Sequence, residues 1–102
     1  KKKCVPCESG TLPLNDEEIN EFLKQISGWI LKNGHLFKKF KFKDFKETME
    51  FLNSVADIAE NEAHHPDFCV HYNIVEVEIW THAIGGLSEN DFILAVKIER
   101  IA

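Results

Sequence analysis

A chain of 102 residues, 44% hydrophobic and with eight Phe, has material for one hydrophobic core and not for two. Its formal charge of -5 argues against a nucleic-acid surface, which needs a basic stripe, and its composition is not that of a disordered chain. No apolar run reaches the roughly 18 residues of a membrane span, no signal-peptide pattern is visible, and three sparse cysteines do not make a disulfide scaffold, so a cytoplasmic setting with neither membrane nor nucleic acid as partner is the expectation.

Residues 1–14 read as an irregular lead-in, broken by Pro6, Gly10 and Pro13, ahead of one domain over 15–102. Lys1 to Lys3 read as a solvated tail, and the absence of an opening Met reads as trimming or processing. A first helix starts at Asn15, with Glu18 completing a capping box and Leu14 stapled onto Ile19. Ile19, Phe22, Leu23 and Ile26 mark its apolar face, and Gly28 is its stop. Trp29 to Leu31 and His35 to Lys43 read as two strands joined at Asn33-Gly34, a pair that tolerates the positive φ of a tight hairpin turn. In the second strand Phe40 and Phe42 alternate with Lys39, Lys41 and Lys43, a half-buried pattern with a solvated face. Asp44 and Glu47 resemble a capping box for a long helix with a stripe of Phe45, Met49, Leu52, Val55, Ala56 and Ala59, ended by Pro66.

Two more strands follow. Phe68, Val70 and Tyr72 share one parity and are expected to pack the sheet; Asn73 marks the turn. Val75, Val77 and Ile79 then share a face opposite Glu76 and Glu78. Gly85-Gly86 breaks the pattern, and a last helix opens at Ser88. Its seven apolar residues from Phe92 to Ile101 exceed the stripe needed against one sheet, so the surplus, Ile98 and Ile101 included, is expected between subunits. Paired short strands suit antiparallel hairpins. The fold expected is α+β, a four-stranded antiparallel sheet with helices packed on it, in the order α-β-β-α-β-β-α.

The residues suited to chemistry are the histidines. His64 and His65 stand where the long helix ends, His71 follows, and His82 lies at the end of the last strand, on the parity of Glu76 and Glu78. Element ends are where scaffolds place reactive groups, and imidazole is the side chain matched to proton transfer near neutral pH. An adjacent His pair reads equally as a solvated helix end. The gap from His65 to His82 matches no common zinc spacing, and no metal is expected. Cys4-x-x-Cys7 is half a zinc ribbon without its second half and reads as two free thiols. Gly85-Gly86 is too short for a phosphate loop. Asp91 has a structural role available as the capping-box partner of Ser88. Trp80 places a large apolar group on the wet side of its strand, a candidate pocket wall or interface residue.

Glu60, His64-His65-Pro66, Tyr72, His82 and Asp91 stand at spacings that resemble the signature of the pterin-4a-carbinolamine dehydratase family. The run from Thr81 to Asp91 is similar to that family's Thr-His-x-x-x-Gly-Leu-Ser-x-x-Asp segment. Gly28-Trp29 and Phe40-x-Phe42-x-Asp44-Phe45 also fit, and Cys4-Val5-Pro6-Cys7-Glu8 looks like the opening of many non-animal members. The resemblance covers almost the whole chain. It implies dehydration of 4a-hydroxytetrahydrobiopterin, or a related pterin released by aromatic amino acid hydroxylases, to the quinonoid dihydropterin, with no metal or organic cofactor. It implies that His64 and His82 are the acid–base pair and that His65 binds and orients the pterin. The implied substrate contacts extend over Glu60, Ala63, His64, His65, Pro66, Phe68, Trp80, Thr81, His82, Ala83 and Asp91. A homotetramer built as a dimer of dimers is implied as well. Two positions depart from the pattern: Ala63 stands where Asp is frequent, and Phe68 where Trp is frequent. Because animal members also bind a homeodomain transcription factor and stabilise its dimer, a non-catalytic binding module is the alternative.

Overall fold

The computed structural model describes residues 12–102; Cys4 and Cys7, read above as free thiols, lie outside the described residues. The first helix, α1 (Asp16–Leu23), opens on a reciprocal cap: Asn15 Oδ1 accepts from the Glu18 amide at 2.8 Å, and Glu18 Oε1 accepts from the Asn15 amide at 2.9 Å. The hairpin follows as β1 (Ile30–Lys32) and β2 (His35–Lys41), turning at Asn33 and Gly34 with φ of 54° and 78°, the conformation that makes Asn-Gly a hairpin signal. Trp29 falls outside β1. It is buried, and its Nε1 donates to Glu99 on the last helix at 3.1 Å. β2 stops at Lys41, two residues short of the expected end. The Phe42 amide already bonds to Asn73 O, and Asp44 caps the next helix.

That helix, α2 (Phe45–Glu62), has half of the expected capping box. Asp44 accepts from the Glu47 amide at 2.9 Å, while Glu47 reaches back one residue further, to the Lys43 amide. Its buried face is Thr48, Phe51, Val55, Ala59 and Glu62, rotated from the expected stripe. Val55 and Ala59 belong to both, but Phe45 and Met49 are exposed. α2 ends before Pro66 is reached. Ala63 adopts the left-handed conformation (φ 52°), its amide bonds to Glu60 O, and the His64 amide bonds to Ala59 O at 3.1 Å, the paired closure of a Schellman motif.

β3 (Asp67–His71) and β4 (Ile74–Ile79) form the second hairpin. Tyr72 sits in its turn with φ 55°, not in the strand. The sheet order is β1-β2-β4-β3, every pair antiparallel, which gives the α+β architecture read from the sequence. β4 is the inner partner of both hairpins. Val75, Val77 and Ile79 are wholly buried with Leu36 and Phe40 of β2, Phe51 and Val55 of α2, and the last helix, α3 (Glu89–Ile101). Phe68 and Val70 pair with Val77 and Val75, so they share the helix-bearing face, yet each remains 39% exposed. An edge strand lies beyond the reach of the helices, and the expected packing is incomplete there. α3 accounts for its wide apolar surface within the chain. Ile98 is 0% exposed, and Phe92 stacks on Phe22 of α1 at 5.0 Å. Much of the surplus expected between subunits is thus buried within the chain, and Ile101 at the helix end is the exposed large apolar residue of α3. Among the described residues no helix is long and apolar enough to cross a membrane.

Candidate active site

Antiparallel pairing of β3 with β4 runs from His71↔Ile74 to Asp67↔Glu78. Continued past Asp67, the same geometry carries residues 64–66 alongside the segment that leaves β4 at Trp80 and Thr81. Sheet topology therefore brings the end of α2 and the end of β4 to one place, and α3 begins beside them.

Asp91, in the first turn of α3, is completely buried and ties these pieces together. Its Oδ2 accepts from the Ser88 amide at 2.8 Å and from the Thr81 hydroxyl at 2.9 Å; its Oδ1 meets His64 Nε2 at 2.6 Å. The Thr81 and Ser88 hydroxyls lie 2.8 Å apart. The capping role read from the sequence is therefore realised by one carboxylate oxygen, while the other holds the histidine. Because a carboxylate only accepts, Nε2 of His64 carries the proton in this bond, and a neutral ring then presents Nδ1 as its free acceptor. The His64 side chain is 14% exposed.

His65, one residue on, behaves differently. The left-handed step at Ala63 turns the chain so that His64 goes inward, while His65 stays 60% exposed with Nε2 at 2.7 Å from Glu60, itself 78% exposed. Such a pair is well screened by solvent and contributes little to stability.

His82 begins a short 3-10 turn (His82–Ile84) inside a loop closed by the Thr81↔Gly86 bridge, with the Thr81 amide bonding to Gly86 O at 2.9 Å. Its ring stacks on Trp80 at 4.2 Å and 30°. His35 also stacks on Trp80, at 4.0 Å and 5°, and His35 Nδ1 donates to Glu78. Trp80, the candidate pocket wall, is thus stacked with two imidazoles. Of the remaining candidates, Pro66 is half-buried, Ala83 is exposed, and Phe68 lies on the helix-bearing face at the sheet edge. Tyr72 is 63% exposed and stacks on Phe45, away from these contacts. His71 sits 3.9 Å from Glu76 in no closer network. His35 and Glu78 escaped the sequence reading as site residues. Parity placed Glu78 with Trp80, but His35 reaches them only because β2 lies beside β4. Among the described residues no group of three or more His, Cys, Asp or Glu is arranged to hold a metal ion.

A histidine locked to a buried carboxylate, with a second histidine one residue from the threonine on that same carboxylate, marks an α+β protein with an imidazole-based candidate site. The chain belongs to the pterin 4 alpha carbinolamine dehydratase family, which it matches over residues 12–101. A Rickettsia bellii protein provisionally named pterin-4-alpha-carbinolamine dehydratase is 51% identical, over 96% of this chain and 88% of that one. A Nitrosospira multiformis protein of the same provisional name is 50% identical, over 98% and 88%. Among solved structures, a transcriptional coactivator/pterin dehydratase from Brucella melitensis superposes with a TM-score of 0.85 at 36% identity, covering 88% of this chain and 98% of that one. A pterin dehydratase-like RuBisCO assembly factor of the alpha-carboxysome shares the fold, with a TM-score of 0.60 at 24% identity over 72% and 86%.

Proposed function

We propose that the chain dehydrates 4a-hydroxytetrahydrobiopterin, or a related 4a-hydroxytetrahydropterin, to the quinonoid dihydropterin in pterin recycling, with His64 and His82 as its acid–base pair. The observation that carries this reading is the Asp91–His64 bond, which fixes one imidazole as an acceptor beside the loop that carries the other. The reaction breaks the C4a–O bond as the hydroxyl is protonated and leaves as water, while the N5 proton is removed and the C4a–N5 double bond forms. In this reading Nδ1 of His64 takes the N5 proton and His82 protonates the leaving hydroxyl. His65, held by Glu60 on the exposed side, binds and orients the pterin. Ala63, Pro66, Phe68 and Ala83 border the substrate, with Trp80 as a further contact and Thr81 and Asp91 supporting from beneath. The reading invokes neither metal nor organic cofactor.

The same reading carries a homotetramer and a cytoplasmic location. Exposed Phe45, Met49, Phe68, Val70 and Tyr72 support association between chains, since apolar side chains on α2 and the β3 edge are left uncovered. The test of the reaction is direct. Synthetic 4a-hydroxytetrahydropterin is mixed with the protein and its absorbance followed. Consumption above the spontaneous rate is the expected result; a rate equal to the spontaneous one would leave the non-catalytic binding module as the reading.

A further inference from the structure

His64 and His82 are not held in the same way. His64 is tied by a hydrogen bond to buried Asp91. His82 is exposed, and among the described residues its ring makes no hydrogen bond; its one ring contact is the stack on Trp80. The direction in which His82 presents its nitrogens therefore depends on where the indole lies.

Trp80 directly follows β4 on the parity of Glu76 and Glu78 and is partly buried, its ring at the margin of the core. Its second ring partner is His35, nearly parallel at 5° and 4.0 Å. His35 is itself restrained twice. It is the first residue of β2, directly after the Asn33-Gly34 turn and paired with Lys32, and its Nδ1 donates to Glu78, which is in register with Phe37. Indole and imidazole prefer such offset, near-parallel contacts. Held by both imidazoles, the indole cannot rotate without breaking two stacks.

We propose that His35 is a positioning residue for His82, acting through Trp80: the tip of the first hairpin braces the wall on which His82 is stacked. This rests on the reading of His82 as an acid–base group, but the arrangement itself can be tested without turnover. Removal of the His35 ring would take away one of the two stacks on Trp80 and free the Trp80–His82 pair to reorient together.

The experiment compares wild type with His35→Ala and His35→Phe. The Phe variant keeps a ring against Trp80 and lacks the bond to Glu78. Melting temperatures establish that each variant is folded. Side-chain NMR then reads the ring protons of His82, which the indole shields and shifts upfield in the stacked geometry. In His35→Ala these resonances should move towards those of free histidine. The dehydration rate should fall about three- to tenfold, the weight of one aromatic contact, with KM changed less than about twofold. In His35→Phe both should return close to wild type. A folded His35→Ala with wild-type His82 resonances would overturn the proposal, and so would a Phe variant as impaired as the Ala one. If wild type itself shows no turnover, the proposed reaction falls, while the resonances still decide whether His35 positions His82.

Discussion

Two imidazoles of one candidate site rest on different physics. His64 is 14% exposed and bonded to a carboxylate that is itself completely buried and also serves Thr81 and the Ser88 amide. His82 is exposed and leans on one face of an indole. The first arrangement fixes which nitrogen carries the proton and makes the histidine part of the fold's own hydrogen bonding. The second fixes only the plane of the ring and leaves both nitrogens open to solvent or substrate. A site built this way separates a group whose role is set by the fold from one whose role is set by what binds.

Replacing the histidines one at a time is the strongest way to break this contrast. His82→Ala should lower turnover by about 10²–10⁴-fold, the usual weight of positioned proton transfer, and change stability by less than about 0.5 kcal/mol because the side chain is exposed. His64→Ala should lower turnover similarly but also cost about 1–3 kcal/mol, since a buried carboxylate oxygen loses its donor. Turnover and urea unfolding on the same samples measure both. The contrast fails if the two variants lose equal stability. Replacing both histidines should cost less than the product of the single effects, because residues that act as a unit are not additive.

Asp91→Ala sharpens the comparison from the other side. It strands His64 Nε2 and the Ser88 amide and leaves the Thr81 hydroxyl with Ser88 Oγ alone, and about 3 kcal/mol of stability should go with them. Denaturant midpoints would show it, and a loss no larger than that of an exposed residue would refute the shared role of this carboxylate. A smaller effect is expected at the bend that parts His64 from His65. Ala63→Gly relieves a left-handed alanine (φ 52°) and should stabilise by about 0.5–1 kcal/mol, read as a rise in melting temperature. Smallest of all, Glu60→Gln should shift stability by less than about 0.5 kcal/mol, since both partners of the Glu60–His65 pair are largely exposed.

Much of this was legible because it is local. Caps at Asn15, Asp44 and Ser88, the Asn33-Gly34 turn and the parity of Val75, Val77 and Ile79 are decided by neighbours in the chain, and each stands where the sequence placed it. What escaped depends on contacts between distant segments. The face that α2 buries is chosen by the sheet beneath it, so Phe45 and Met49 were misplaced although Val55 and Ala59 were not. The exposure of Phe68 and Val70 follows from β3 being an edge, and strand order is not written in strand parity. Ile98 read as surplus because nothing in its own helix announces that it joins the core with residues of the sheet and α2. In the candidate site, the histidines stood out by residue type and by the family signature. His35 did not, because it lies forty-odd residues before Glu78 and meets it only through β2 pairing with β4.

The double duty of Asp91 also has a kinetic side. The amide of Ser88 and the ring of His64 hang from the two oxygens of one carboxylate, so unwinding the first turn of α3 and releasing His64 are a single event rather than two. Deuterium uptake at the Ser88 amide then counts the openings in which His64 is adrift. A ligand that binds only the ordered arrangement would slow that uptake in proportion to its occupancy, and the start of a helix becomes a clock for the readiness of His64, twenty-four positions before Ser88.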